Sequence, residues 1–173
     1  MKIVVGVSDL KVSRNPDDLI ITYALGSCLG ITAYDPVVKA GGMVHVMLPL
    51  SKSDPEKARL KPAMYVDTGL MLLLQEVSKL GAKKQNLEIC VAGGASMKQS
   101  TEEDYFKIGQ RNFTTFRKML WKNGLMIGSQ EVGGNKSRTM TLSLTDGLVT
   151  INKQPINLKK SLRTSAEAVA VAV

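Results

Sequence analysis

Short apolar segments separated by turn residues are the feature that most limits how this chain can fold. The segments are rich in β-branched side chains, and most of them end after a few residues at glycine, proline or Asp-Pro, which is typical of strands rather than helices. The Thr145-Asp146-Gly147 triplet between the last two is typical of a hairpin turn. The predicted strands cover residues 2–7, 19–25, 28–34, 43–48, 87–92, 125–132, 138–144 and 148–152.

Two longer segments instead have the spacing of helices. Apolar residues recur at helical intervals from Val66 to Leu80, and Gly81 follows as a stop signal. A second helix is predicted near 110–123, and 51–62 is predicted to be a loop or a short helix. This order of elements predicts an α+β fold with a mostly antiparallel, sandwich-like sheet core flanked by two long helices. One domain is expected over 1–152, with a tail at 153–173 that forms a last helix, a last strand or a disordered segment.

Composition limits the classes of protein to which the chain can belong. No apolar run reaches the roughly 18 residues of a membrane span, and the N-terminus lacks the pattern of a signal peptide, so we expect a cytoplasmic protein without membrane insertion. One histidine and two distant cysteines offer no metal-ligand spacing, so we expect neither metal nor cofactor. The net charge of +8 comes from scattered residues, and aromatics are only 5%. This pattern favours a solvated surface or an acidic protein partner over nucleic acid.

The two cysteines differ in their sequence context. Cys90 lies between Ile89 and Val91 in an apolar predicted strand, which is typical of a buried structural thiol. Cys28 follows Gly26-Ser27, where a predicted strand ends and the chain turns. A nucleophile at a turn is exposed, and nearby backbone N–H groups can converge on an oxyanion. Cys28 is therefore the candidate nucleophile.

His45 is the only histidine and hence the candidate base for Cys28. A nucleophilic thiol needs a proton acceptor with a pKa near neutrality, and imidazole is the side chain that meets this need. Because the segment after Cys28 is predicted to be a strand, activation of the thiol should depend on His45 and not on a helix dipole. A hydroxyl group that orients the imidazole could come from Thr22 or from Ser27, and spacing alone does not choose between them.

Several sequence blocks in consistent order resemble the CheD family of chemoreceptor glutamine deamidases. The resemblance spans roughly residues 3–152 and includes the blocks Thr22-Tyr23-Ala24-Leu25-Gly26-Ser27-Cys28-Leu29-Gly30, Gly41-Gly42-Met43-Val44-His45-Val46-Met47-Leu48-Pro49, Ala92-Gly93-Gly94-Ala95-Ser96-Met97, Ile108-Gly109-Gln110-Arg111-Asn112 and Val132-Gly133-Gly134-Asn135 with Arg138. It implies a catalytic set of Cys28, His45 and Thr22. The implied substrate is the cytoplasmic helical hairpin of methyl-accepting chemoreceptors, on which glutamine side chains are converted to glutamate.

The resemblance also implies partners and leaves alternatives open. Family members bind a CheC-type phosphatase, and some are credited with methylesterase activity. Two positions depart from the family pattern: Gln110 replaces an acidic residue, and Lys136-Ser137 precede Arg138 where a glycine is usual. The altered loop before Arg138 could change partner binding. The alternative hypothesis is a non-catalytic chemotaxis module that docks receptors or a CheC-type phosphatase. A third class, nucleic-acid binding, rests on charge alone.

Overall fold

A computed structural model describes residues 1–96, 107–155 and 167–171. Within these residues the strands are β1 (Lys2–Val5), β2 (Leu10–Ser13), β3 (Leu19–Leu25), β4 (Leu29–Asp35), β5 (Ala40–Val46), β6 (Glu88–Gly93), β7 (Ser129–Val132), β8 (Lys136–Ser143), β9 (Val149–Pro155) and β10 (Glu167–Val171). The helices are α1 (Pro55–Leu60), α2 (Val66–Lys79) and α3 (Ile108–Lys122). Short 3-10 turns at Ser51–Ser53 and Pro62–Met64 flank α1.

The strands form two sheets of five. One sheet, the outer sheet, has the order β1-β3-β8-β9-β10, and the other, the middle sheet, has the order β2-β5-β4-β6-β7. Only β1 with β3 and β6 with β7 pair in parallel, and the remaining strand pairs of the described residues are antiparallel. The prediction of an α+β fold with a mostly antiparallel sheet core is confirmed.

The protein has three layers, because the middle sheet packs against the outer sheet on one face and against the helices on the other. Side chains of both sheets, among them Ile20, Met43 and Met140, form one apolar cluster between the sheets. The opposite face of the middle sheet packs Val44 and Ile31 against side chains of α2 and α3 such as Leu73. β4 and β5 are thus covered on both faces, and every residue in them is buried. The site described below lies between the two sheets, near the end of β5.

The structure differs from the sequence prediction mainly at short or polar elements. β2 was not predicted, because it is a four-residue edge strand in which polar Lys11 and Ser13 alternate with Leu10 and Val12. The predicted strand 125–132 begins only at Ser129, since Leu125 and Ile127 pack beside the helices instead. In the tail, Glu167–Val171 form a strand that pairs with β9. No helix in the described part of the chain is long and apolar enough to cross a membrane.

Candidate functional site

The two sheets bring Thr22 and His45 together across the layer between them. Alternation along β5 points Val44 and Val46 at the helices, so His45 faces the outer sheet. Alternation along β3 buries Ile20 and Thr22 on one face. Thr22 Oγ1 lies 2.8 Å from His45 Nδ1, and both residues are almost completely buried. The structure therefore joins the threonine and the histidine that the family resemblance implies, although 23 positions separate them.

The hydrogen bonds of Thr22 determine the tautomer of His45. The Thr22 hydroxyl donates its only hydrogen to the backbone carbonyl of Val5, at 2.8 Å, because a carbonyl can only accept. Toward His45 the same oxygen must then act as acceptor, so the imidazole carries its hydrogen on Nδ1. Nε2 is left with a lone pair, and this buried atom has no hydrogen-bond partner among the described residues. His45 is thus held with a free proton-accepting nitrogen.

Cys28 lies directly before β4, and β4 is the strand that neighbours β5. Gly30 is paired with His45 in the ladder, so Cys28 is two residues from the direct partner of the histidine and on the same face of the sheet. The thiol is half-buried and packs against the cluster between the sheets. A Cβ at Gly30 would lie 2.8 Å from the end of the Leu25 side chain, so a larger residue there would displace side chains between the sheets. The structure therefore places Cys28 one residue beyond the end of the ladder, on the sheet face that His45 also occupies.

Burial keeps both groups neutral at neutral pH. Burial lowers the pKa of His45 from 6.5 to about 4, because the enclosed site disfavours the imidazolium. Burial also raises the pKa of the Cys28 thiol, an effect partly offset by the residue's own backbone N–H. The sequence argument expected a base with a pKa near neutrality, and the structure differs because His45 is only 1% exposed. The resting pair is a neutral thiol and a neutral imidazole.

Residues that sequence reasoning did not assign to the site support the Cys28 turn. The N–H of Gly94 donates to the carbonyl of Cys28 at 2.9 Å. Gly93 has a φ of +114°, and a Cβ there would come within 2.0 Å of the same carbonyl, so this position requires glycine. The guanidinium of Arg138, buried on β8, donates to the carbonyls of Gly93 at 3.1 Å and Gly133 at 2.6 Å. Arg138 thus ties the glycine turn to the outer sheet.

Asn112 supports the other side of the turn. Its Nδ2 donates to the carbonyls of Ser27 and Met47, each at 2.9 Å, and the side chain is completely buried. It therefore bridges the chain where β4 and β5 separate beyond their last pair, Leu29 with Val46. A signal was present in the sequence, because Asn112 is the one amide on the buried stripe of α3 (Gly109, Asn112, Phe116, Leu120). A polar residue on such a stripe needs buried hydrogen-bond partners.

Comparison with known proteins gives the family of the chain. A family model described as CheD chemotactic sensory transduction matches residues 47–153, more than half of the chain. The chain belongs to the CheD family. A protein of Syntrophus aciditrophicus named "Probable chemoreceptor glutamine deamidase CheD 1" is 45% identical over 147 residues, which cover 85% of this chain and 91% of the relative. A CheD of Pyrococcus abyssi with the same kind of name is 46% identical over 156 residues, covering 88% and 91% of the two chains.

Proposed function

We propose that this CheD-family chain is a chemoreceptor glutamine deamidase in which Cys28 is the nucleophile, His45 the base and Thr22 the group that orients the base. The observation that carries the proposal is the Thr22–His45 hydrogen bond, which leaves Nε2 as proton acceptor on the face that Cys28 shares. The names of the relatives support glutamine as the substrate group.

In the first half of the proposed reaction, an amide is exchanged for a thioester. His45 Nε2 takes the Cys28 proton while the sulfur bonds to Cδ of the substrate glutamine. The amide oxygen becomes an oxyanion, for which the backbone N–H of Cys28 is the proposed donor, worth about 3 kcal/mol. His45 then gives its proton to the nitrogen, the C–N bond breaks, and ammonia leaves.

In the second half of the proposed reaction, water hydrolyses the thioester, and His45 is again the base. Nε2 takes a proton from a water molecule, whose oxygen adds to the thioester carbon. The C–S bond breaks, the sulfur recovers the proton from His45, and the side chain leaves as glutamate. Because the resting thiol and imidazole are both neutral, the proton moves during attack and not beforehand. Thr22 accepts the Nδ1–H bond throughout, which stabilises the imidazolium that forms in each half.

The wider biological setting is proposed from the family resemblance. The deamidase domain is residues 1–152, and 153–173 are an added segment. The partner of the protein is the cytoplasmic domain of a methyl-accepting chemoreceptor, so the protein works in the cytoplasm. A CheC-type phosphatase is a second proposed partner, whose binding would link receptor adaptation to signalling.

The test is mass spectrometry of a receptor cytoplasmic fragment incubated with this protein. Each deamidation adds about 1 Da, so wild type should shift glutamine-containing peptides, and Cys28→Ala and His45→Ala should not. A shift that persists in Cys28→Ala would overturn the assignment of the nucleophile. If the wild type binds the fragment but leaves its mass unchanged, the non-catalytic docking module becomes the better account.

A further inference from the structure

Three open cavities follow one another along the exposed side of α3, and each shares lining residues with the next. One cavity lies between the segment 48–53 and the start of α3, and shares Arg111 with the next cavity. That cavity in turn shares Thr114 and Lys118 with a third, which ends at Trp121. We call this surface the α3 groove. It follows a helix of 15 residues and is therefore roughly 20 Å long.

The described side chains that line the α3 groove carry charge of one sign. Its basic side chains are Lys52, Lys107, Arg111, Arg117 and Lys118, all exposed. No aspartate or glutamate lines it among the residues that the structure describes. Clefts lined by one sign of charge concentrate ligands of the opposite sign. The groove therefore fits an acidic ligand.

The far end of the groove adds an apolar anchor. Trp121 is 82% exposed, which is unusual for the largest apolar side chain in a protein. It lines the groove together with Leu125 and Ile127. Tryptophan and arginine are both enriched at the centre of protein interfaces. The ligand should therefore present an apolar side chain as well as carboxylates.

The near end of the groove adjoins the candidate active site. Leu48 and Pro49, which line the first cavity, follow Met47, whose carbonyl accepts from Asn112. Asn112 lies on α3 and also holds the carbonyl of Ser27, next to Cys28. A ligand lying in the groove would thus extend away from the Cys28 turn.

We propose that the α3 groove docks an acidic amphipathic helix of the same chemoreceptor whose glutamines reach Cys28. This inference rests on the proposed function, and it names how the substrate is held. The groove walls are helix side chains and an irregular segment, so they offer ridges to pack a helix against and no strand edge to extend. Carboxylates of the helix pair with Arg111 and Lys118, while an apolar residue of the helix covers Trp121.

The test compares two double variants with the same change in net charge. Arg111→Glu/Lys118→Glu reverses the groove. Arg14→Glu/Lys83→Glu is the matched control, because both residues are exposed and the Lys83 N–H binds Asp35, at the opposite end of β4 from Cys28. Deamidation is measured on the receptor cytoplasmic fragment and on a short glutamine peptide that cannot span the groove.

The groove variant should raise KM for the receptor fragment about tenfold, with kcat and the peptide reaction unchanged, and the control should match wild type. Trp121→Ala should also raise KM for the fragment alone. Equal effects of the two double variants, or a fall in kcat on the short peptide, would overturn the docking proposal.

Binding of the fragment in a Cys28→Ala background separates this proposal from the proposed function. Groove-dependent and salt-sensitive binding, combined with no deamidation by the wild type, would overturn the deamidase and leave the docking site standing. If the wild type deamidates the fragment and the charge reversal leaves binding unchanged, the docking proposal is overturned and the deamidase stands. Groove-dependent binding of duplex DNA, with receptor binding unaffected, would overturn the choice of partner.

Discussion

The two thiols of this protein belong to neighbouring segments of one sheet, yet their surroundings differ. Cys90 is in the interior of β6, opposite Thr32, and is 1% exposed in the cluster between the sheets. Cys28 precedes β4, is half-buried, and shares a sheet face with the only histidine. Burial raises the pKa of both thiols, that of Cys90 to about 12.

A lowered thiol pKa therefore does not distinguish the proposed nucleophile. What distinguishes Cys28 is access at the end of a strand ladder and a neutral base whose Nε2 has no hydrogen-bond partner in the part of the chain that the structure describes. Cys90 is hydrogen-bonded to Thr32 and packed on all sides, which is the environment of an inert structural cysteine. Position and a neighbouring base, rather than thiol acidity, separate the two residues.

The largest expected difference between the two thiols is in their rates of alkylation. At pH 8 a thiol with a pKa of about 12 is ionised in only about one molecule in ten thousand, and burial blocks the reagent as well. We expect iodoacetamide to modify Cys28 at least about a thousandfold faster than Cys90 in the native protein. Peptide mapping after timed quenching measures both rates in one sample. Comparable rates at the two cysteines would break the comparison.

The imidazole beside Cys28 should make folding stability depend on pH. The pKa of His45 is about 4 in the folded protein and near 6.5 when unfolded, so the unfolded chain binds more protons between these values. The free energy of unfolding should thus fall by about 3 kcal/mol as the pH falls from 6.5 to 4. Denaturant titrations at several pH values measure this slope.

His45→Gln provides the control for that slope. Glutamine does not titrate, so the variant should lose the part of the dependence between pH 6.5 and 4 that belongs to His45. Glu88, whose pKa burial raises, titrates alike in both proteins. Carboxylates whose pKa is lowered, such as Asp35, change the free energy of unfolding only below about pH 4, and they do so in wild type and variant alike. If wild type and variant change stability in parallel across this window, His45 is not buried in its neutral form.

Removal of the hydroxyl group that orients His45 should have a smaller effect. Thr22→Val keeps the shape but leaves the imidazole Nδ1–H without its acceptor, so the base loses its fixed orientation. We expect kcat to fall about 10- to 100-fold with little change in KM. Thr22→Ser restores the hydroxyl and should recover most of kcat. A serine variant as slow as the valine variant would show that Thr22 acts through packing.

Local pattern predicted much of the fold. β3 begins and ends at the predicted residues, and α2 fits its predicted range because its apolar stripe has a regular period and Gly81 ends it. The parallel pairings of β1 with β3 and β6 with β7 were not predicted, since strand partners distant in sequence are chosen by packing. β2 was missed because an exposed edge strand needs little apolar character.

The site was predictable only in part, because its contacts also join residues that are distant in sequence. Residue chemistry and context singled out Cys28 and His45, while Thr22 came from the family resemblance. The contact of Thr22 with His45 crosses from one sheet to the other, and no spacing along the chain encodes it. Arg138 and Asn112 were missed as supports because each acts through backbone carbonyls far away in sequence.

The central claim is that Cys28, and not Cys90, attacks the glutamine carbonyl carbon. The most direct measurement uses a receptor peptide in which the target glutamine is replaced by a chloroketone analogue that alkylates the attacking atom. Mass mapping of the adduct should find the peptide on Cys28 alone, at a rate that falls sharply in Thr22→Val. An adduct on Cys90, or equal labelling of both thiols, would contradict the account.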